Sequence, residues 1–243
     1  TLGLLTSAHV ESAQGVKAAL RNGVDSIEHG AQPDQEMMNL FKQKGAFLIT
    51  TLSPALPFAL FDQSVSKVND VQLYNGKMVF NGIVECSKAA LENGIPVGLG
   101  NDVGCPWITQ YDFYRELVYF HKYVGVTNAF ALYTATLQNA ILAGIGDITG
   151  SIDEGKRADM IVVKENPLKD LNALKHIDLV FAILGRILHR FAQVADLVHA
   201  VIAGCVDFQN IQTVFPHQAL AAFALSAGVA LYRMQTVNSP CHD

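Results

Sequence analysis

The strongest constraint on the fold is a three-part pattern that repeats between Leu2 and Asp102. Each repeat has a short apolar run, a polar turn and a segment whose hydrophobic residues follow helical spacing. This alternation predicts βα units, in which parallel strands are joined by right-handed helical crossovers. The sequence therefore indicates an α/β fold, built as an open sheet or as part of a barrel. The predicted strands are LGLLTSAH (2–9), VDSIEHG (24–30), AFLITTL (46–52) and IPVGLGND (95–102).

Helical segments are predicted between and after these strands from apolar spacing, capping residues and terminal glycines. They cover residues 11–23, 34–45, 77–94 and 111–123, with a last segment that begins at Thr127. Residues 53–76 include two prolines and several polar residues, which indicates an enlarged loop. The alternating run ADMIVV (158–163) predicts a small β element after the last helix.

Three residues that can bind metal lie at the ends of predicted strands. His9, His29 and Asp102 each stand last or nearly last on a separate strand. Ligands of parallel α/β folds bind at the carboxyl ends of the strands, so these side chains are expected to converge. Imidazole nitrogen and carboxylate oxygen suit zinc or a similar divalent ion. A histidine at a strand end is more often a hydrogen-bonded core or rim residue, but three such residues together favour a metal site.

The loops that follow two of the strands are expected to line a substrate pocket. Trp107, Tyr111 and Arg115 are the predicted substrate contacts, and Arg115 could hold a substrate carboxylate. The alternatives are an aromatic cap on the barrel rim for Trp107 and a surface salt bridge for Arg115. Glu28 is expected to point away from His29 because side chains alternate along a regular strand. It is therefore assigned either to barrel packing or to contact with a metal ligand, and not to the metal itself.

Composition narrows the partners and the location. The chain of 243 residues carries a formal net charge of −5 and has no run of Lys or Arg, so nucleic acid is not expected. Its four cysteines form no CxxC pair, so neither a zinc knuckle nor a dense disulfide framework is indicated. The first residues show no signal-peptide pattern, which favours a cytoplasmic protein acting on a small molecule.

Three stretches of sequence resemble the metal-dependent amidohydrolase superfamily, and within it the branch with imidazolonepropionases and Xaa-Pro dipeptidases. The stretches are TSAHVESAQGVKAALRNGVDSIEHG, VGLGNDVG and ALYTATLQNAILAGIGDITGSIDEGKRADMIVVKENPL. The resemblance implies a (β/α)8 TIM-type barrel, of which this chain would hold strands five to eight. It implies that His9 and His29 are the metal ligands of the fifth and sixth strands. Asp102 would be the eighth-strand ligand and general base.

The same resemblance implies the cofactor and the reaction. One or two divalent ions, zinc first among them, would activate water for hydrolysis of a C–N bond. The substrate would be a small amide, a lactam, or a dipeptide or N-acyl amino acid. The first-strand His-x-His pair and the fourth-strand lysine of the family are not found in this sequence. The alternative is a half-barrel that is inactive alone and acts only when it is paired with another chain. A homo-oligomer is one possible partner arrangement.

Three regions are predicted along the chain. Residues 1–145 are assigned to the half-barrel, 146–184 to part of a small β-sandwich and 185–243 to an apolar, helical tail of unknown role. No Lys or Glu occurs after Lys175, which marks the change in composition. An uncharged run at 214–232 has the length of a membrane span, but polar residues dilute it, so a buried helical hairpin or an unrelated extension is preferred over membrane insertion.

Overall fold

A computed structural model describes residues 4–182, so the predictions for the tail at 185–243 and for the run at 214–232 lie outside the described residues. The strands are β1 (Ser7–Val10), β2 (Ser26–His29), β3 (Phe47–Thr50), β4 (Val97–Leu99), β5 (Met160–Val163) and β6 (Ile177–Phe181). The helices are α1 (Ala13–Arg21), α2 (Gln35–Lys44), α3 (Leu56–Leu60), α4 (Gln63–Ser66), α5 (Asp70–Glu92), α6 (Tyr114–Tyr119), α7 (Asn128–Tyr133) and α8 (Asn139–Leu142).

Strands β1 to β4 form one parallel sheet in the order β1-β2-β3-β4. Each neighbouring pair is consecutive in the chain and is joined by at least one helix, as the predicted βα units require. The prediction of an α/β fold is confirmed. The carboxyl ends of all four strands lie at the same edge of the sheet, because the strands run in the same direction. The placement of these strands as five to eight of a barrel stays a prediction.

One face of the sheet is covered by helices and forms the main core. Helix α1 packs on β1 and β2, and α5 packs on β3 and β4. Residues that alternate along β1 show the difference between the faces, since Ala8 and Val10 pack against the core and His9 is exposed on the other side. Fully buried side chains in this core include Val16, Leu20, Ile27, Phe41, Leu48 and Ile83.

Helix α5 begins earlier than predicted. The apolar pattern predicts a start at Lys77, whereas the helix begins at Asp70. A capping box explains the difference, because the Asn69 side chain accepts from the Gln72 amide and the Gln72 side chain accepts from the Asn69 amide. The predicted loop at 53–76 is also partly helical, with α3 and α4 inside it.

The helical region after β4 is irregular. Residues 110–112 form a 3₁₀ turn, and residues 120–124 and 134–138 form π-helical turns. At the second π turn the hydroxyl groups of Thr134 and Thr136 donate to main-chain carbonyls one turn earlier, at 2.9 and 2.7 Å. Such bonds compete with the hydrogen bonds of a regular α-helix, so the helix is interrupted there. The sequence pattern predicts one unbroken helix, because it shows only which residues are apolar.

The remaining described strands form a second, separate sheet. β5 and β6 pair antiparallel, with an irregularity between Val162 and Val163. The predicted strand at 158–163 is confirmed as β5. The boundary at residue 145 and the assignment to a β-sandwich stay predictions. Within residues 4–182 no helix combines the length and the apolar character that a membrane crossing needs.

The outer edge of β4 is closed by a side chain. The Asn139 carboxamide accepts from the Leu99 amide at 2.9 Å and donates to the Leu99 carbonyl at 2.8 Å, as a neighbouring strand would. Gly98 allows this close approach, because a Cβ atom there would lie 2.6 Å from the Asn139 Oδ1 atom. One carboxamide therefore holds α8 against the strand that precedes Asp102.

We expect the Asn139→Leu substitution to lower the free energy of unfolding by about 2 to 4 kcal/mol, because both polar groups of the buried Leu99 lose their partner. Urea unfolding measures this change. The matched control is Asn39→Leu, since Asn39 is exposed and its side chain accepts only an exposed bond from Gln35. Equal losses in the two variants would contradict the role of the carboxamide.

Candidate metal centre

Two of the three predicted ligands meet at the carboxyl edge of the sheet. His9 lies on β1 and His29 ends β2, one register position further along, where it pairs with Val10. The Nδ1 atom of His9 lies 2.7 Å from the Nε2 atom of His29. The two rings meet edge to face, with their centroids 4.5 Å apart. The structure thus brings one nitrogen from each imidazole to a common point.

The backbone conformation at His29 allows the two imidazole rings to come into contact. Its φ angle is +71°, a left-handed conformation that a non-glycine residue adopts at a cost. The expectation that Glu28 and His29 point to opposite faces is wrong, because the alternation of side chains fails where the strand conformation ends. Glu28 pairs directly with His9 in register and accepts hydrogen bonds from the hydroxyls of Ser7 and Ser26, at 2.5 and 3.0 Å.

His29 is buried and His9 is exposed. The His29 residue is 3% exposed, and burial, followed by the neighbouring His9, lowers the pKa of its imidazole. The lowered pKa keeps the His29 ring neutral over a wider pH range, which is the state that a metal ligand needs. The second ring nitrogen, Nδ1, contacts the Thr51 hydroxyl. Both nitrogens of the buried ring therefore have a partner.

Asp102 lies near this pair without joining it. It follows β4 by three residues, is exposed, and has a φ angle of +49°. Its Oδ2 atom accepts a hydrogen bond from the Cys105 thiol at 3.3 Å. In the part of the chain that the structure describes, no three His, Cys, Asp or Glu side chains lie close enough to hold a metal ion. His9 and His29 are brought together, and Asp102 is not.

The donor atoms of the pair still fit a divalent metal. Two nitrogen ligands of one tetrahedral zinc, each about 2.0 to 2.1 Å from the metal, lie roughly 3.3 Å apart. The two histidine nitrogens, at 2.7 Å, would need only a small separation of the rings. Both are imidazole nitrogens that face one another, and neutral imidazole is a good zinc ligand.

A narrow cleft lies between the loops that follow β3 and β4. Its walls include the predicted substrate contacts Trp107 and Arg115. The Trp107 ring packs edge to face against Phe61, with the centroids 6.0 Å apart, and its backbone also has a left-handed φ angle, of +67°. Arg115 forms an ion pair with Asp112 at 3.5 Å. Tyr111, the third predicted contact, is 61% exposed and is not part of the cleft wall.

Glu116 is the residue of this region that was not predicted from the sequence. It lies on α6 with no exposed surface, and its carboxylate accepts from the Leu52 amide at 2.5 Å, the Ser53 amide at 2.9 Å and the Ser53 hydroxyl at 2.5 Å. Burial raises the pKa of this carboxyl to about 7, although the three hydrogen bonds oppose the shift. The sequence indicates only that Glu116 is buried, because the buried Phe120 lies four residues later, and it does not indicate the partners of the carboxylate.

The profile of the amidohydrolase family matches residues 2–188, which is more than half of the chain. The chain belongs to the amidohydrolase family. Among solved structures, this amidohydrolase chain is similar to a candidate prolidase from Bifidobacterium longum, with 39% identity and a TM-score of 0.72. The likeness covers 81% of this chain and 51% of that protein.

Two further relatives support the family. A Xaa-Pro dipeptidase with methionine bound in its active site is 32% identical, with a TM-score of 0.65, over 74% of this chain and 44% of the dipeptidase. Ochratoxinase from Aspergillus niger is 29% identical over 175 residues, which are 70% of this chain and 35% of the enzyme. This amidohydrolase chain therefore spans between a third and about half of the length of these relatives. The assignment to the superfamily is confirmed, and the assignment to one branch stays a prediction.

Glu116 should make a measurable contribution to the pH dependence of stability. Its folded-state pKa of about 7 lies above the ordinary value of 4.5, so the folded chain holds this proton more tightly than the unfolded chain does. The stabilisation is complete below about pH 4.5 and is lost as the pH rises to about 7. A shift of this size corresponds to roughly 3 kcal/mol.

We therefore expect the unfolding free energy of the native chain, relative to that of the Glu116→Gln variant, to fall by roughly 3 kcal/mol between pH 4.5 and pH 7. Urea unfolding at several pH values provides the measurement. The control is Glu85→Gln, because Glu85 is exposed and forms a surface ion pair with Lys88. A difference between native chain and Glu116→Gln that does not change with pH would show that Glu116 is not buried as described.

Proposed function

We propose that this chain carries part of the active site of a metal-dependent hydrolase that cleaves C–N bonds in small molecules. The observation that supports this proposal is the pair of imidazole nitrogens, 2.7 Å apart, at the carboxyl ends of adjacent parallel strands. This is the edge at which parallel α/β enzymes bind their ligands. Membership of the amidohydrolase family supports the class of reaction.

The roles of the three predicted residues follow from their chemistry. His9, through Nδ1, and His29, through Nε2, would hold the metal, and Asp102 would be the third ligand. A divalent metal such as zinc, when bound, lowers the pKa of water and polarises a carbonyl oxygen. The carboxylate of Asp102 accepts the proton of the attacking water and passes it to the nitrogen that leaves.

The cleft supports a class of substrate. Its wall combines the rings of Phe61, Trp107 and Tyr119 with the guanidinium of Arg115. Aromatic rings bind an apolar group, and a guanidinium binds a carboxylate through paired hydrogen bonds. We therefore propose a dipeptide or N-acyl amino acid with an apolar side chain and a free carboxylate. The Xaa-Pro dipeptidase and the candidate prolidase among the relatives are consistent with this class.

The second candidate is a half-barrel that is inactive until it pairs with another chain. It is favoured by β1, which has a hydrogen-bonded strand neighbour on one side only among the described residues. An exposed strand edge is a site at which a further strand can add. The exposed face that carries His9 is where a complementary half would supply further ligands.

We expect the purified chain to bind zinc, and the His9→Ala, His29→Ala and Asp102→Asn variants to lose it, because each removes one ligand. Elemental analysis after dialysis measures the metal content. His176→Ala is the control, since His176 is exposed and lies directly before β6, in the separate small sheet. Zinc retained in equal amount by all three variants would contradict the proposal.

Light scattering on the same samples separates the two candidates, because a monomer that hydrolyses an N-acyl amino acid rules out obligatory pairing.

We expect Trp107→Leu to raise KM for an aromatic N-acyl amino acid by about tenfold with little change in kcat, because it removes part of the cleft wall and leaves the reacting groups in place. Steady-state kinetics measures both constants. The matched control is Tyr111→Leu, which changes an exposed aromatic residue of the same loop outside the cleft. A similar increase in KM for both variants would mean that the cleft does not bind the substrate.

A further inference from the structure

Glu116 is a carboxylate in an unusual position. It is fully buried on α6, and among residues 4–182 no lysine, arginine or histidine forms an ion pair with it. Burying a carboxylate without a counter-ion costs several kcal/mol, and an apolar residue of similar size would avoid that cost. Within residues 4–182 the carboxylate is therefore compensated by hydrogen bonds, and the groups that donate them indicate what Glu116 does.

All three donors belong to one short turn. The amides of Leu52 and Ser53 and the Ser53 hydroxyl lie two to three residues beyond the end of β3. Two successive amides that point at one carboxylate fix the direction of the main chain at that point. Glu116 thus ties the turn after β3 to the helical region after β4, and these two segments form the walls of the cleft.

The residue before this turn contacts a predicted metal ligand. Thr51 is 3% exposed, and its hydroxyl contacts the Nδ1 atom of His29. The opposite nitrogen of the same ring, Nε2, faces His9. When Nδ1 carries the proton and donates it to Thr51, Nε2 presents a lone pair toward His9. The position of the Thr51 hydroxyl therefore controls both the orientation of the His29 ring and the nitrogen that is left free to bind a metal.

We propose that Glu116 is a positioning residue for His29, which it reaches through the turn: its carboxylate holds Leu52 and Ser53, and these hold the Thr51 hydroxyl against the imidazole. The consequence for catalysis rests on the proposed function, in which His29 binds metal. The coupling from Glu116 to His29 does not, because every contact in it joins residues of this chain to one another. A helix that follows β4 thereby orients a proposed metal ligand at the end of β2.

Nuclear magnetic resonance of the metal-free chain tests this coupling at pH 8, where Glu116 is ionised. The ring nitrogens of His29 are followed in long-range proton–nitrogen spectra, and the amides of Leu52 and Ser53 by hydrogen exchange. We expect Glu116→Gln, which places a donor where an acceptor is needed, to shift the His29 nitrogen signals. It should also speed exchange at the two amides by about tenfold.

Thr51→Val separates positioning from general destabilisation, because valine keeps the shape of threonine without the hydroxyl. We expect Thr51→Val to shift the His29 signals but leave exchange at Leu52 and Ser53 unchanged. Glu116→Gln should then add no further shift of the His29 signals in the Thr51→Val background. The Glu85→Gln control should change neither readout.

Two results would overturn the proposal. One is a folded Glu116→Gln variant with unchanged His29 nitrogen signals. The other is a Glu116→Gln effect on those signals that is equally large with and without the Thr51 hydroxyl. If Glu116→Gln does not fold, Glu116→Asp, which keeps the charge and retracts it by one methylene, is read by the same two criteria. None of these spectra requires metal or substrate. The coupling from Glu116 to His29 can therefore be tested even if the chain binds no zinc, and its failure is distinct from failure of the proposed function.

Discussion

The parallel pairing of β1 with β2 is the constraint on which the candidate site depends. It puts His9 and His29 at the same edge of the sheet and one register position apart. Because the strands are adjacent, the distance between the two main chains is fixed at that of a hydrogen-bonded pair. Two imidazole rings that start from such neighbouring positions can meet without any rearrangement of the fold. Among the later elements, α5 and Asn139 support this sheet, and the loops after β3 and β4 form the walls of the cleft.

Much of the fold follows from patterns in the sequence. The four strands and the helices α1 and α2 are visible as short apolar runs, helical spacing, side-chain caps and a terminal glycine. The start of α5 was predicted seven residues late, because its first turns carry polar and exposed residues and only the Asn69–Gln72 capping box marks the true beginning. The π-helical turns could not be predicted, since they depend on which carbonyl each threonine hydroxyl reaches.

The candidate site was predictable to a smaller extent. The sequence indicates that His9 and His29 end strands, and parallel topology is enough to bring them together. It does not show that the backbone turns at His29, because a φ angle has no signature in a histidine. Glu116 was missed for a different reason. Its partners are mainly main-chain amides, which every residue has, so no second residue type in the sequence points to the contact.

The left-handed conformations at the mouth of the sheet have a consequence for the relation between stability and activity. Of the four described non-glycine residues with a positive φ angle, His29, Asp102 and Trp107 belong to the predicted site, and Lys67 ends a helix. Glycine would relieve about 1 kcal/mol of backbone strain at such a position. At Asp102, which is exposed, that gain would be opposed by the loss of one exposed hydrogen bond from the Cys105 thiol and by little packing. Sequence optimisation aimed at thermostability alone would therefore tend to replace this carboxylate, which is the general base of the proposed mechanism.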